Sequence, residues 1–146
     1  MTAIRIFVPI DAAAQSAGAN EVAAAIASEA GKRGIHIELV RNGSRGMLWL
    51  EPLGGGAAGS GRIAYGPGCV ADVASLFEAG FLSGGPHALC HGPTEAIPYF
   101  AKQERLSFAR CGIIDPLNLA DYEAHGGLAG LRRALTMAPR DVVAEI

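Results

Sequence analysis

Three cysteines carry the most obvious chemical potential: Cys69, Cys90 and Cys111, spaced 21 residues apart in each step, with His91 beside Cys90. A thiolate–imidazole metal site needs three or four converging ligands, usually including a close C-x2-C or C-x4-C pair. No such pair occurs, so the pattern favours buried or idle thiols over a metal site. Disulfide exchange of the thioredoxin kind needs a C-x-x-C at a helix N-terminus, where the dipole lowers a thiol pKa. The segment Asp11 to Ala19, which follows the first apolar run, has no cysteine, and that chemistry is disfavoured.

Asn42-Gly43-Ser44-Arg45-Gly46 could hold an anion through backbone N–H groups and Arg45, against the plainer reading of a turn. The Gly54–Gly61 run lacks the Lys-Ser/Thr of a phosphate-binding loop and does not lead into a helix, so it reads as a hairpin tip or flexible excursion. Ser, His and Asp all occur, but no Ser sits in a nucleophile elbow. His36, His87, His91 and His125 read as surface or capping groups, and His125, just before Gly126-Gly127, suits a helix C-terminus. On these grounds no residue is assigned a catalytic, cofactor-binding or metal-binding role.

The elements that would position such residues can be read from composition and periodicity. A chain of 146 residues is one domain, or one domain plus an appendage. Half the residues are hydrophobic and 18% are charged, which favours a buried core over intrinsic disorder. The net charge of −2 and the lack of a basic run argue against nucleic-acid or anionic-membrane partners. Met1 to Pro9 carries Arg5 and lacks the features of a signal peptide, and no window reaches the ~20 apolar residues of a membrane span. An odd number of scattered cysteines points to a reducing, cytoplasmic setting.

Ile4 to Val8 reads as a buried strand closed by Pro9, and Asp11 to Ala19 as a loop. Asn20 is expected to cap a helix with Val22, Ala23, Ile26, Ala27 and Ala30 on its apolar stripe, ending at Gly34. Ile35, Ile37 and Leu39 alternate with His36 and Glu38 as a second strand, parallel to the first. Met47 to Leu53 is expected as a third strand and Arg62 to Tyr65 as a fourth, antiparallel to it. Val70 to Ala79 is expected as a helix, with Val70, Val73, Leu76 and Phe77 on one side.

That order, β-α-β then β-β-α, is the thioredoxin-like order and gives an α/β fold class. The character changes after Leu82, at Ser83-Gly84-Gly85-Pro86. His87 to Gly112 looks extended and irregular. Asp115-Pro116 is expected to start a helix, Leu128 to Met137 a second, and Pro139 a third with Val142, Val143 and Ile146 on its apolar side. The last helix shows no cap and no polar tail, which is expected of a longer chain whose tail helices meet a further domain.

Two segments carry a family resemblance. Arg41-Asn42-Gly43-Ser44-Arg45-Gly46-Met47-Leu48-Trp49-Leu50-Glu51-Pro52-Leu53, followed by Arg62-Ile63-Ala64-Tyr65-Gly66-Pro67, resembles the second half of the thioredoxin-like [2Fe-2S] ferredoxins attached to bacterial complex I and NAD-reducing hydrogenases. Those domains carry a cysteine pair in this loop and an earlier pair after the first strand. Here Ser44 and Leu48 stand at the loop positions and Asp11–Ala19 offers no thiol. The resemblance therefore implies the fold and argues against the cluster, which four thiolates would hold.

The second segment is Ile97-Pro98-Tyr99-Phe100-Ala101-Lys102-Gln103-Glu104-Arg105, with Cys111-Gly112-Ile113-Ile114-Asp115-Pro116 and Tyr122-Glu123-Ala124-His125-Gly126-Gly127-Leu128. It is similar to the stretch preceding the flavin-binding core of the NADH-oxidising subunit of complex I and its relatives. In those proteins a glycine-rich FMN loop, an NAD site and a four-cysteine [4Fe-4S] cluster follow; none of these motifs is in residues 1–146. A cluster-less thioredoxin-like domain ahead of such a flavoprotein looks like the N-terminal part of the beta (diaphorase) subunit of cytoplasmic NAD-dependent molybdenum formate dehydrogenases.

The resemblance implies two parts: residues 1–82, a thioredoxin-like domain without iron–sulfur ligands, and residues 83–146, a linker and helical segment leading into the FMN/NAD-binding domain. It implies FMN, NAD and [4Fe-4S] in the parent subunit, with none held by residues 1–146. Its partners would be a molybdenum catalytic subunit and a [2Fe-2S] gamma subunit. The rival readings are a diaphorase subunit of an NAD-reducing hydrogenase or complex I relative, a stand-alone thioredoxin-like [2Fe-2S] electron carrier, and a purely structural interaction module with no redox parent.

Overall fold

Ile6 and Val8 point to one side of the first strand and Arg5 and Phe7 to the other, an alternation that divides the molecule. The computed structural model describes residues 3–52, 54–58 and 61–145. In it β1 (Ile4–Phe7), β2 (Ile37–Val40), β3 (Gly54–Ala58), β4 (Gly61–Tyr65) and β5 (Cys90–Pro93) form a mixed sheet of order β2-β1-β3-β4-β5. β1 and β2 are parallel, with Ile4 opposite Ile37 and Phe7 opposite Val40. The other pairs are antiparallel: Phe7 faces Gly55, Gly55 faces Ala64, and Ala64 faces Gly92.

A parallel pair needs a crossover, and α2 (Ala19–Lys32) supplies it. Its buried residues Val22, Ala23, Ile26 and Ala30 recur at helical spacing, and with α3 (Val73–Glu78) they cover the Ile6, Val8 and Tyr65 face of the sheet. Phe77 and Phe81 meet edge-to-face at 5.0 Å, and Tyr65 meets Phe81 at 5.8 Å. Tyr65 donates its hydroxyl to the Gly85 carbonyl at 2.7 Å. The opposite face carries a smaller cluster of Met47, Ala64, Ile97 and Phe100.

Beyond the sheet lie α4 (Pro98–Ala101), α5 (Leu119–Ala124), α6 (Ala129–Ala134) and α7 (Pro139–Glu145). This region is thinly packed. Among the described residues after Phe100, Ile114 is the one buried hydrophobic side chain, while Leu106, Phe108, Leu117, Leu119, Leu131, Leu135 and Val143 are exposed. No helix among the described residues is long and apolar enough to cross a membrane.

Several expected elements are different in the structure. Asp11–Ala19 contains a short helix, α1 (Ala12–Ser16), because Asp11 Oδ1 accepts the N–H groups of Ala13 and Ala14 at 3.1 and 3.2 Å. Gly18, at φ 92°, takes the cap position of α2 that was expected of Asn20. Asn20 has other partners: its amide donates to Gln15 Oε1 and its oxygen accepts from Arg41.

The expected third strand is not a strand in its described part, residues 47–52. Leu48–Leu50 forms a 3-10 turn, and Pro52 has no N–H for a ladder. The pairing passes to Gly54–Ala58, within the run expected to be a turn. Gly54, Gly55 and their neighbours pair with β4 from Gly54 opposite Tyr65 to Ala58 opposite Gly61, and Gly55 also pairs with Phe7 of β1. Leu53, Gly59, Ser60 and Ile146 lie outside the described residues.

His87–Gly112 holds β5, a 3-10 turn at Thr94–Ala96 and α4 rather than irregular chain throughout. The expected helix at Asp115-Pro116 begins later. Asp115 closes a turn by accepting the Leu117 N–H at 2.9 Å, and Asn118 caps α5. His125 caps the C-terminal end of α5, donating from Nδ1 to the Asp121 carbonyl at 2.8 Å.

Candidate functional site

The loop from Arg41 to Gly46, following β2, is where the chain brings its polar groups together. Arg41 donates to the carbonyls of Val8 and Pro9 at 3.1 Å each, fixing the loop to the end of β1. Asp11 is shared: one carboxylate oxygen caps α1 and the other accepts the Ser44 N–H at 2.8 Å. Ser44 Oγ donates to buried Glu51 at 2.7 Å and accepts the Gly46 N–H at 3.0 Å. Asn42, buried, donates Nδ2 to the Gly112 carbonyl at 2.8 Å, a contact spanning 70 residues.

Arg45 occupies the centre. Its guanidinium forms a two-pronged pair with Glu95 and lies 4.4 Å from the Phe100 ring centroid. Glu95 stays exposed, and Arg45 beside it holds its carboxyl below the usual range. Arg62 comes from the sheet itself. It stacks over Phe7 at 4.2 Å, with Arg5 also near that ring at 5.3 Å. Burial, then the charge of Arg45, pushes the Arg62 guanidinium down to about 10, so it remains cationic at neutral pH. Asn42, Arg45, Glu51, Arg62 and Thr94 line a cavity of about 20 Å³ between this loop and the sheet.

This arrangement pairs charges and fixes a loop, and its hydroxyls serve that purpose: Ser44 bridges Glu51 and the Gly46 N–H, and Thr94 donates to the Arg62 carbonyl. The expected anion-binding reading of Asn42–Gly46 finds Arg45 present but committed to Glu95. The plainer reading of a turn understates a loop tied to α1, β1, Glu51 and Gly112.

The cysteines lie apart from one another, and Cys69 pairs with Asp72 in the cap of the turn before α3. Cys69 and Cys111 are exposed, Cys90 lies half-buried on β5, and all three are free thiols. Among the described residues no group of three or more His, Cys, Asp or Glu side chains could hold a metal ion. His91 meets the Gly66 carbonyl at 2.7 Å.

Ser75 and His87 are 3.1 Å apart and superficially resemble a nucleophile and its base. The tautomer runs the wrong way. His87 Nδ1 accepts the Leu89 N–H, so Nε2 carries the proton in the neutral ring and donates it to Ser75 Oγ. Ser75 in turn donates to the Asp72 carbonyl at 2.9 Å. The pair is a helix-end clasp on α3.

Arg62, Glu51, Glu95, Thr94 and Phe100 were missed as members of this cluster. One signal was present: a cation inside the apolar strand pattern at Arg62, matching Arg5 in β1, marks a sheet face that is not a plain hydrophobic core.

No family model matches the chain. Over 42 residues, 29% of its length, the chain is 48% identical to the NADP-reducing hydrogenase subunit HndC of Solidesulfovibrio fructosivorans. The matched stretch covers 9% of that protein, so the chain is similar to a small part of a much longer relative.

Proposed function

We propose that this chain is the N-terminal part of a diaphorase-type subunit, which passes electrons between NAD(H), FMN and iron–sulfur clusters in a cytoplasmic, multi-subunit oxidoreductase. The 48% identity over 42 residues to a subunit of an NADP-reducing hydrogenase is the observation that carries it. Within that class we assign it to an NAD-dependent formate dehydrogenase, with a molybdenum subunit and a [2Fe-2S] subunit as partners. The loop around Ser44 supports the finer assignment. Ser44 and Leu48 occupy the positions of cluster cysteines in the resembling ferredoxins, and here Ser44 is held by Asp11 and Glu51.

Residues 1–82 form, in this reading, a thioredoxin-like domain. It is supported by the strand order β2-β1-β3-β4, by the crossover α2 between parallel β1 and β2, and by α3 after the antiparallel β3–β4 pair. Residues 83–146 lead towards the flavoprotein domain and lend β5 to the same sheet. The exposed leucines of this second part, from Leu106 to Leu135, are what a segment lying against a larger domain would present.

Three thiols are one short of a four-thiolate cluster, and two of them are exposed at separate places in the fold. FMN and NAD belong to the rest of the subunit, and no residue of this chain is assigned to them. The role of this portion is structural: docking and support of the electron-transfer domain.

The test is purification of the native complex through a tag on this subunit. Flavin content, NAD(P)H-dependent dye reduction, and formate-dependent NAD reduction are the expected results. Hydrogen-dependent reduction without formate activity would replace formate dehydrogenase by hydrogenase. A preparation with no flavin and no NAD(P)H oxidation would overturn the reading altogether. A cluster seen by visible absorption and EPR in residues 1–146 alone would overturn the cluster-less domain.

A further inference from the structure

We infer that the cavity beneath the Arg41–Gly46 loop is a built site for one water molecule, bridging Asn42 Oδ1 and Arg45 Nε. Both atoms are buried and lack a hydrogen-bond partner within the protein. Asn42 is 4% exposed and the Arg45 side chain 8%. Both residues line the same cavity of about 20 Å³, together with Glu51, Arg62 and Thr94. A volume above roughly 10–15 Å³ with two to four polar partners is what one water requires.

The identity of the occupant follows from the signs of the groups that face it. The Asn42 amide cannot be turned round, because Nδ2 donates to the Gly112 carbonyl; the reverse orientation would set two oxygens against each other. The free side of Asn42 is therefore an acceptor. Arg45 spends its terminal nitrogens on Glu95, so its free side is the Nε donor. The occupant must donate to one atom and accept from the other. A halide would accept from Arg45 and confront Asn42 Oδ1 and the Glu51 carboxylate. A metal cation or ammonium would confront the guanidinium groups of Arg45 and Arg62. Oxyanions such as phosphate are too large for the space. Water alone among common small species satisfies both atoms, and Thr94, whose hydroxyl hydrogen is used on the Arg62 carbonyl, leaves an oxygen free to accept a second donation.

Such a water ties the loop to the sheet at the point where Asn42 also reaches Gly112. It is a fixed part of the fold, exchanging with solvent only when the loop opens.

The test uses the 146-residue chain labelled with nitrogen-15. Water-to-protein cross-relaxation at the Arg45 Hε is expected to carry the sign of a long-lived contact. Oxygen-17 relaxation dispersion should lose the contribution of one long-lived water in Arg45→Lys, which has no Nε at that place. A titration with sodium bromide should leave the Arg45 Hε resonance without a saturable shift. A saturable bromide shift would overturn the proposal in favour of an anion site. A wild-type protein with no long-lived water at Arg45 Hε would overturn it outright, whether or not Arg45→Lys folds.

Discussion

Gly112→Ala tests the link between the loop after β2 and the C-terminal segment. Gly112 sits at φ 75°, where a side chain already costs roughly 1–2 kcal/mol. An added Cβ would also stand 2.0 Å from Arg45 Cγ and 2.6 Å from its Cδ. Cγ is close to the root of the side chain, so Arg45 cannot yield by bending its far end. It must leave the Phe100 face, worth about 1–2 kcal/mol when partly desolvated, and its pair with exposed Glu95, worth about 0.5 kcal/mol. The expected loss is therefore about 3 kcal/mol.

The same substitution in an Arg45→Ala background should cost only the conformational part, roughly 1–2 kcal/mol, because the nearest remaining Arg45 atom is Cβ at 3.4 Å. Gly126→Ala is the control: φ is 77° and the nearest atom is the far end of Arg110 at 3.7 Å. Urea unfolding of the four members of the cycle, with equal slopes, gives the coupling directly. A coupling energy below about 0.5 kcal/mol, the usual scatter of additivity, would refute the clash and with it the close packing of Arg45 on Gly112.

Three further outcomes follow from the geometry. Asp11→Ala removes the cap of α1 and the acceptor of the Ser44 N–H, so a loss of about 1–2 kcal/mol is expected. Asp11→Asn should cost about half as much, and hydrogen exchange at the Ser44 amide should quicken in both. Burial, then the Cys90 thiol, pushes the Tyr65 phenol from 10 up to about 12. Its contribution to stability is then complete below pH 10 and lost as the pH rises towards 12. Tyr65→Phe should flatten that alkaline loss, while tyrosinate absorbance at 295 nm in the wild type should show one group titrating late. Ile6→Ala, in the main core, should cost about 2–5 kcal/mol. Leu117→Ala and Leu135→Ala should change the stability of the chain by less than about 0.5 kcal/mol, yet weaken its recovery in the native complex if that face is covered there.

How far the sequence could be read depended on which face of the sheet was in question. The Ile6–Val8–Tyr65 face is covered by aliphatic and aromatic side chains at regular helical and strand spacing, so periodicity identified α2, β1, β2, β4 and the Val73–Glu78 part of the second expected helix. Two positions expected on the apolar stripes are exposed instead: Ala27 on α2, and Val70, which lies in a 3-10 turn (Val70–Asp72) ahead of α3. β3 was missed because it contains no strand-forming pattern at all. Gly54 and Gly55 are held there by pairing with β4 and β1 on either side, which a run of glycines does not announce. The helix α1 was missed for a different reason: its one signal, the Asp11 cap, sits in a run of small residues that reads equally well as loop.

The polar cluster was the least legible part, and the cause is physical. Its members come from six separated places: Asp11, the loop Asn42–Arg45, Glu51, Arg62, Thr94–Glu95 and the Phe100–Gly112 stretch. No local spacing encodes contacts such as Asn42 to Gly112 or Arg105 to the Arg45 carbonyl. What a sequence does record is the cost these contacts must meet. A guanidinium on an inward strand position is expensive unless it finds an aromatic face or a carboxylate. Arg5 and Arg62 both find Phe7, and Arg45 finds Phe100 and Glu95. Charged residues inside two apolar strands therefore mark a second, electrostatically organised layer. In this protein that layer joins the loop after β2 to the segment that leads away from the sheet.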